Sequence, residues 1–198
     1  MEYGWHFVKK DYTLMHDMEG VKVEVGRTYR VDPPLSICER GLHACLKILD
    51  ALFYALGPVA CWVRLDGEIL TGYDKLCATE RTVLAMGDVS RVLHELGLWY
   101  AEEIRPSGLV DPDVETTVIN TKRRWLAGEI DDQELQALRG HLNRGYLSWI
   151  ADSNPLFSTY VIRMVRPGGV IWRKVNQRLE TAVRESLGLE PMVRSTSA

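Results

Sequence analysis

Two histidines stand where an imidazole can do chemistry. His6 lies in Trp5-His6-Phe7, and His43 lies in Gly41-Leu42-His43-Ala44-Cys45. Both segments read as strands. Successive side chains of a strand face opposite ways, so His6 faces away from Trp5 and Phe7. A neutral imidazole donates and accepts, which suits it to a ligand hydroxyl. Gly41 lets another backbone or a ligand come close to the chain just before His43. Glu80, in Thr79-Glu80-Arg81-Thr82, is the carboxylate that would complete such a site, provided it lies within hydrogen-bond reach of the substrate. Its plain reading is a solvent-facing strand charge beside Arg81.

The four cysteines are Cys38, Cys45, Cys61 and Cys77, and no two form a CxxC pair. Without an export signal they are expected to be reduced thiols, some of them buried. His43 and Cys45 share a strand face, but zinc prefers tight pairs, and four ligands do not assemble here. No metal is expected. No cysteine sits in a nucleophile motif. The chain contains neither G-x-x-x-x-G-K-[ST] nor G-x-G-x-x-G, which removes the P-loop and simple dinucleotide-fold readings.

A second candidate surface lies late in the chain. Lys122, Arg123, Arg124 and Trp125 form a basic cluster with an aromatic, and Arg173 and Lys174 continue the trend. On one helical face these residues would contact an acidic partner or nucleic acid. The formal net charge of −3 does not favour nucleic acid. It also hides an asymmetry. Residues 1–104 hold 11 Lys/Arg against 16 Asp/Glu, and the remaining residues hold 13 against 11.

The elements that must position these groups change character along the chain. Residues 3–9 form a short aromatic strand. Val21, Val23 and Val25 alternate with polar residues, the period of a half-buried strand. Another strand spans 27–31. Leu46, Leu49, Leu52 and Phe53 give a helix an apolar stripe, ended by Gly57-Pro58. Residues 59–65 are an apolar strand, Asp66-Gly67 a turn, and 68–70 and 77–86 further strands. From Asp88 the pattern turns helical. Helices are expected over about 89–104, 114–127, 131–151, 155–166 and 170–187, with a linker at 105–108. The resulting organisation is a strand-rich domain over 1–104, a helical domain over 109–190 and a flexible tail over 191–198. The fold class is α+β, with a small mixed or antiparallel sheet, one crossing helix and an all-helical C-terminal region.

The block from Cys38 to Met86 resembles the central NAD-binding segment of ADP-ribosyltransferase-like folds, the poly-ADP-ribose polymerase type above all. Its order there is glycine, short strand, helix, apolar strand. The resemblance implies NAD as cofactor, a catalytic set of His6, His43 and Glu80, and cofactor contacts from Gly41, Leu42 and Tyr54. His43 would stand where that family carries a tyrosine. A second resemblance covers most of the chain. Trp5-His6-Phe7, Cys38-Glu39-Arg40-Gly41-Leu42-His43-Ala44, Asp50-Ala51-Leu52 and Asp74-Lys75-Leu76, with Ala78-Thr79 and Arg81-Thr82, look like a family of bacteriophage and actinobacterial proteins of no assigned activity. That likeness implies a phage or prophage context and supplies no activity. With an incomplete triad, a large helical part and no specific catalytic motif, a phage accessory protein that binds a host or phage protein is expected, for instance to inhibit a host defence system in the manner of an anti-CRISPR. The alternatives are the NAD-dependent enzyme and a virion component. On the binding reading no cofactor is expected. The chain shows no secretion signal and no run of roughly 20 apolar residues that would span a bilayer, so a cytoplasmic protein is expected.

Overall fold

A computed structural model describes residues 1–14, 18, 20–104, 111–142, 145–164 and 168–190. The chain is α+β, with an open antiparallel five-stranded sheet in its first half and helices after it. It divides into two compact units, Met1–Val89 with Asn176–Ala198, and Ser90–Val175. The first boundary thus falls at Val89, ahead of the break expected near Arg105. The linker at 105–108 and the tail at 191–198 lie outside the described residues.

The sheet unit contains β1 (Glu2–Val8), β2 (Thr28–Arg30), β3 (Leu42–Ala44), α1 (Ile48–Phe53), β4 (Val59–Thr71) and β5 (Leu76–Asp88). Strand order is β1-β4-β5-β2, and β3 also pairs with β5. β4 and β5 make one long hairpin, 13 residues a side. β2 pairs with residues 80–82 of β5 and β3 with residues 76–78. One residue beyond β3, Cys45 exchanges two backbone hydrogen bonds with Trp5 of β1, at 2.7 and 2.9 Å. The segment carrying His43 is thereby fastened both to β5 and to β1. Gly4 permits that approach, since a Cβ there would lie 2.8 Å from the Cys45 carbonyl oxygen.

A buried cluster that includes Val8, Leu14, Tyr29, Leu42, Cys61, Val63, Leu65 and Val83 fills this unit. α1 buries Ile48, Leu49, Ala51 and Leu52, and its Leu49 amide donates to Asn176 Oδ1 at 3.0 Å. Trp5 is fully buried, and its indole N–H donates to Glu180 Oε1 at 3.3 Å. Removing that much apolar area from water contributes on the order of 2–3 kcal/mol for each large side chain.

The helical unit begins with α2 (Ser90–Ile104), followed by α3 (Pro112–Leu126), α4 (Asp132–Gly140), α5 (Tyr146–Ile150), α6 (Pro155–Ser158) and a 3-10 helix (Tyr160–Met164). α7 (Val170–Ser186) starts in this unit and ends in the other. Asp111 caps α3 by accepting from Asp113 N, and Asp131 caps α4 by accepting from Glu134 N. An acidic side chain suits the exposed amides and positive end of a helix N-terminus.

Four expected elements differ. Val21–Val25 is not a strand: Lys22 bridges Thr13 alone, Val25 is exposed, and Gly20 and Gly26 adopt positive φ at either end. Asp66-Gly67 does not end a strand but forms a bulge within β4, with Gly67 at φ 75°. The helix expected over 131–151 divides into α4 and α5, with Gly145 at φ 147° ahead of the second. The helix expected over 155–166 is α6 and then a 3-10 turn.

Candidate functional site

One cavity of about 350 Å³ opens in the sheet unit. β1 supplies His6 to it, the loop and strand around β3 supply Gly41, Leu42 and His43, and Tyr54 follows α1. Five of the six residues expected around a bound cofactor therefore share one cavity. The sixth, Glu80, does not line it. Its carboxylate pairs with Arg30 on β2, with Nε to Oε1 at 3.3 Å. Its neighbour Arg81 lines the cavity instead. Alternation along β5 separates the two, so Glu80 is corrected from cavity residue to partner of Arg30.

Arg81 is the group that sequence reasoning missed. It lies across from Leu65 on β4 and Tyr29 on β2, both buried. Only 3% of it is exposed. Its Nη1 donates to the His43 carbonyl oxygen at 2.8 Å, while Nε has no partner. Among the described residues no carboxylate pairs with it. Burial lowers its pKa to about 10, with Cys61 and Tyr29 acting the other way, so it stays charged at neutral pH. The one available signal was its place beside Glu80 in a strand, where successive side chains face opposite ways.

His6 is half-buried. Burial, then the charge of Arg81, then His43 hold its pKa well below 6.5. It is a neutral imidazole at pH 7. His43 Nε2 accepts from the Cys38 amide at 3.1 Å, which fixes an acceptor at that nitrogen. Gly41 is needed for a different reason than ligand approach. At φ 130°, a Cβ there would meet Cys77 Sγ at 2.2 Å.

Cys38, Glu39, Tyr54, Leu56 and Lys75 also line the cavity. Lys75 Nζ donates to Cys38 Sγ at 3.3 Å and lies 3.5 Å from the centre of the Tyr54 ring. The Tyr54 hydroxyl donates to Asp74 Oδ2 at 2.6 Å. Glu39 accepts from Ser36 Oγ at 2.7 Å. The remaining wall is largely apolar, with Trp5, Phe7, Leu14, Ala44 and Ala51.

The cationic set in the helical unit does not form one free face. Lys122 is fully buried, and its Nζ donates to the Asp152 carbonyl oxygen at 2.6 Å and to His94 Nδ1 at 3.1 Å. It is corrected from surface contact to core residue. Trp125 covers it, with Nζ 4.1 Å from the ring centre, and the indole N–H donates to Asp132 Oδ1 at 2.7 Å. Arg123 pairs with Glu102 at 2.9 Å, Arg124 with Glu129 at 3.6 Å and Lys174 with Glu103 at 3.8 Å. Arg173 donates to the Gly168 carbonyl oxygen at 2.9 Å.

Among the described residues no group of three His, Cys, Asp or Glu could hold a metal ion, and no helix is long and apolar enough to cross a membrane. Residues 3–95 match the family model of a domain of unknown function, DUF7666. That span takes in all of the sheet but Glu2, and every residue of the cavity. No curated protein and no solved structure matches the chain.

Proposed function

We propose that the protein acts by binding a small molecule in the cavity of its sheet unit. The observation that supports this is the convergence of His6, His43 and Arg81, which lie far apart in sequence, on one largely apolar cavity. Cavities of about 300–1,000 Å³ with few polar groups among apolar walls are the usual form of small-molecule sites. The cavity falls at the low end of that range, so its occupant is smaller than a complete dinucleotide.

The NAD-dependent reading draws support from the shared cavity of His6, His43, Gly41, Leu42 and Tyr54. It lacks its carboxylate, because Glu80 is engaged with Arg30. The nicotinamide end alone is the part of that cofactor the cavity could take. A phage accessory protein that docks on a host or phage protein would use the cationic helical surface. There Lys122 is buried and the other cations are engaged, so a protein partner is the weaker reading of this geometry.

The test is a two-dimensional amide and imidazole NMR titration of the full chain with a mixed fragment set that includes nicotinamide. Shifts clustered at His6, His43 and their cavity neighbours are expected. Loss of those shifts in Leu56→Trp, which adds bulk at an exposed wall position, would support the assignment. No clustered shift with any fragment would overturn the reading.

A further inference from the structure

We propose that the occupant of the cavity is a small oxyanion, a carboxylate or a phosphate monoester on an aromatic-sized body, and that Arg81 takes its acid group. The inference rests on the binding reading above and adds the ligand's chemical class.

A buried charge without a counter-charge is costly. Removing one partner of a buried pair is strongly destabilising, because the other charge is left uncompensated. Arg81 stands in that state by itself. It is 3% exposed, spends Nη1 on a neutral carbonyl, and keeps an unpaired Nε. A guanidinium that is buried for packing alone would be expected to pair with a carboxylate or to use all its donors on backbone oxygens. An oxyanion supplies what is missing, since its two oxygens match a guanidinium edge.

Two of the other three charged groups on the wall agree with that sign. Lys9 and Lys75 are cationic, and Lys75 is held against Cys38 and Tyr54. Glu39 is the opposing charge on the wall, and Ser36 donates to it. His6 stays neutral and can add a hydrogen bond without adding charge. The apolar wall from Trp5, Phe7, Leu14, Leu42 and Ala51 suits a compact ring. A volume of about 350 Å³ leaves space for one ring with its acid group.

Matched pairs test the charge alone. Benzoate against benzamide and phenyl phosphate against phenyl methanesulfonate differ little in shape and fully in charge. Binding of each to the full-length chain is measured by titration calorimetry, with His6 and His43 imidazole signals reporting the location. At least one anion should bind tenfold or more tightly than its neutral twin. The benzoate and phenyl phosphate arms tell carboxylate from phosphate. Arg81→Met should abolish the preference and Arg81→Lys should keep part of it. If Arg81→Met does not fold, the matched pairs in the unaltered protein still decide. Neutral twins that bind at the cavity as tightly as both anions would overturn the oxyanion class and leave the binding reading standing. Failure of all four probes, together with no fragment shifting the cavity signals, would overturn both.

Discussion

The backbone amide of Cys38 donates to Nε2 of His43 at 3.1 Å. A nitrogen that accepts a hydrogen bond carries no proton, so neutral His43 is the Nδ1–H tautomer. The cavity therefore holds a tautomer fixed by its own loop. Long-range ¹H–¹⁵N spectra should show Nδ1 protonated and Nε2 bare for this ring. A bare Nδ1 at neutral pH would contradict the arrangement.

The same loop strains its cysteine. Cys38 adopts φ 71°, where a residue without Cβ is at ease. Cys38→Gly should cost nothing or stabilise by up to about 1 kcal/mol. Cys38→Val, β-branched in a left-handed position, should destabilise by about 1–2 kcal/mol. Urea unfolding of the two variants gives the comparison, and equal stabilities would argue against the strained loop.

Thiol reactivity should separate the cysteines. Cys38 is exposed, whereas Cys45, Cys61 and Cys77 are buried. Burial raises Cys45 and Cys61 to about 12, with Asp50 adding to the first and Arg81 opposing it at the second. Iodoacetamide at pH 8 should modify Cys38 alone in the folded protein. Because Cys38 lines the cavity, benzoate or phenyl phosphate should slow that reaction. A second thiol reacting as fast would show that the sheet opens readily.

Acid should weaken both units through histidines that the fold keeps neutral. His6 lies well below 6.5, chiefly by burial and then by Arg81 and His43. His94 is lowered to about 3 by burial and by Lys122, while a hydrogen bond to the Ser153 backbone opposes. Unfolded, each ring binds a proton below about pH 6.5, and folded it does not. The unfolded state thus gains protons, and stability falls as pH drops through that value. By pH 5 each such ring costs up to about 2 kcal/mol. His6→Gln should flatten the pH dependence of the sheet unit between pH 7 and 5, read from amide exchange of β1 and β4. An unchanged slope would mean that His6 titrates normally.

Gly97 shows how tightly the helical unit is packed. A Cβ at this position would come within 2.3 Å of the Ser158 carbonyl oxygen. Helix propensity favours Gly97→Ala, but the clash is with backbone and cannot be turned aside. The substitution should destabilise by about 1–3 kcal/mol. A rise in thermal stability would show that α6 can shift away from α2.

The sequence made the sheet's long strands legible, because residues 59–65 and 77–86 are apolar and β-branched enough to dictate β4 and β5. It also placed His6 and His43 in strands. What it could not show was the double fastening of β3 to β5 and β1, a long-range event that creates the cavity. Nor could a motif choose between Glu80 and Arg81. The resemblance to ADP-ribosyltransferase-like folds favoured the carboxylate, while register turned its neighbour inward. Val21, Val23 and Val25 failed for a local reason, since Gly20 and Gly26 bound the segment and leave it the single bridge of Lys22 to Thr13. Lys122 misled because a charged run is a surface signal by composition, and only the fold shows which turn of α3 faces Asp152.

That lysine gives the sharpest pH prediction for the helical unit. Burial lowers Lys122 to about 7, against smaller opposing effects of Asp152 and Asp132. Unfolded, the amine keeps its proton to about 10.5. Between those values the unfolded chain holds a proton that the folded one lacks. Stability of this unit should therefore rise as pH increases from about 7 toward 10. The gain should be roughly 2 kcal/mol across two pH units, read from amide exchange of α3 and α6. Lys122→Met removes the titrating group and should flatten the rise. Its cost at pH 7 should be small, because Ser158 Oγ still donates to the Asp152 carbonyl oxygen at 3.0 Å. If the variant keeps the wild-type slope, Lys122 stays charged in the fold, and its contacts with Asp152, His94 and Trp125 outweigh its burial.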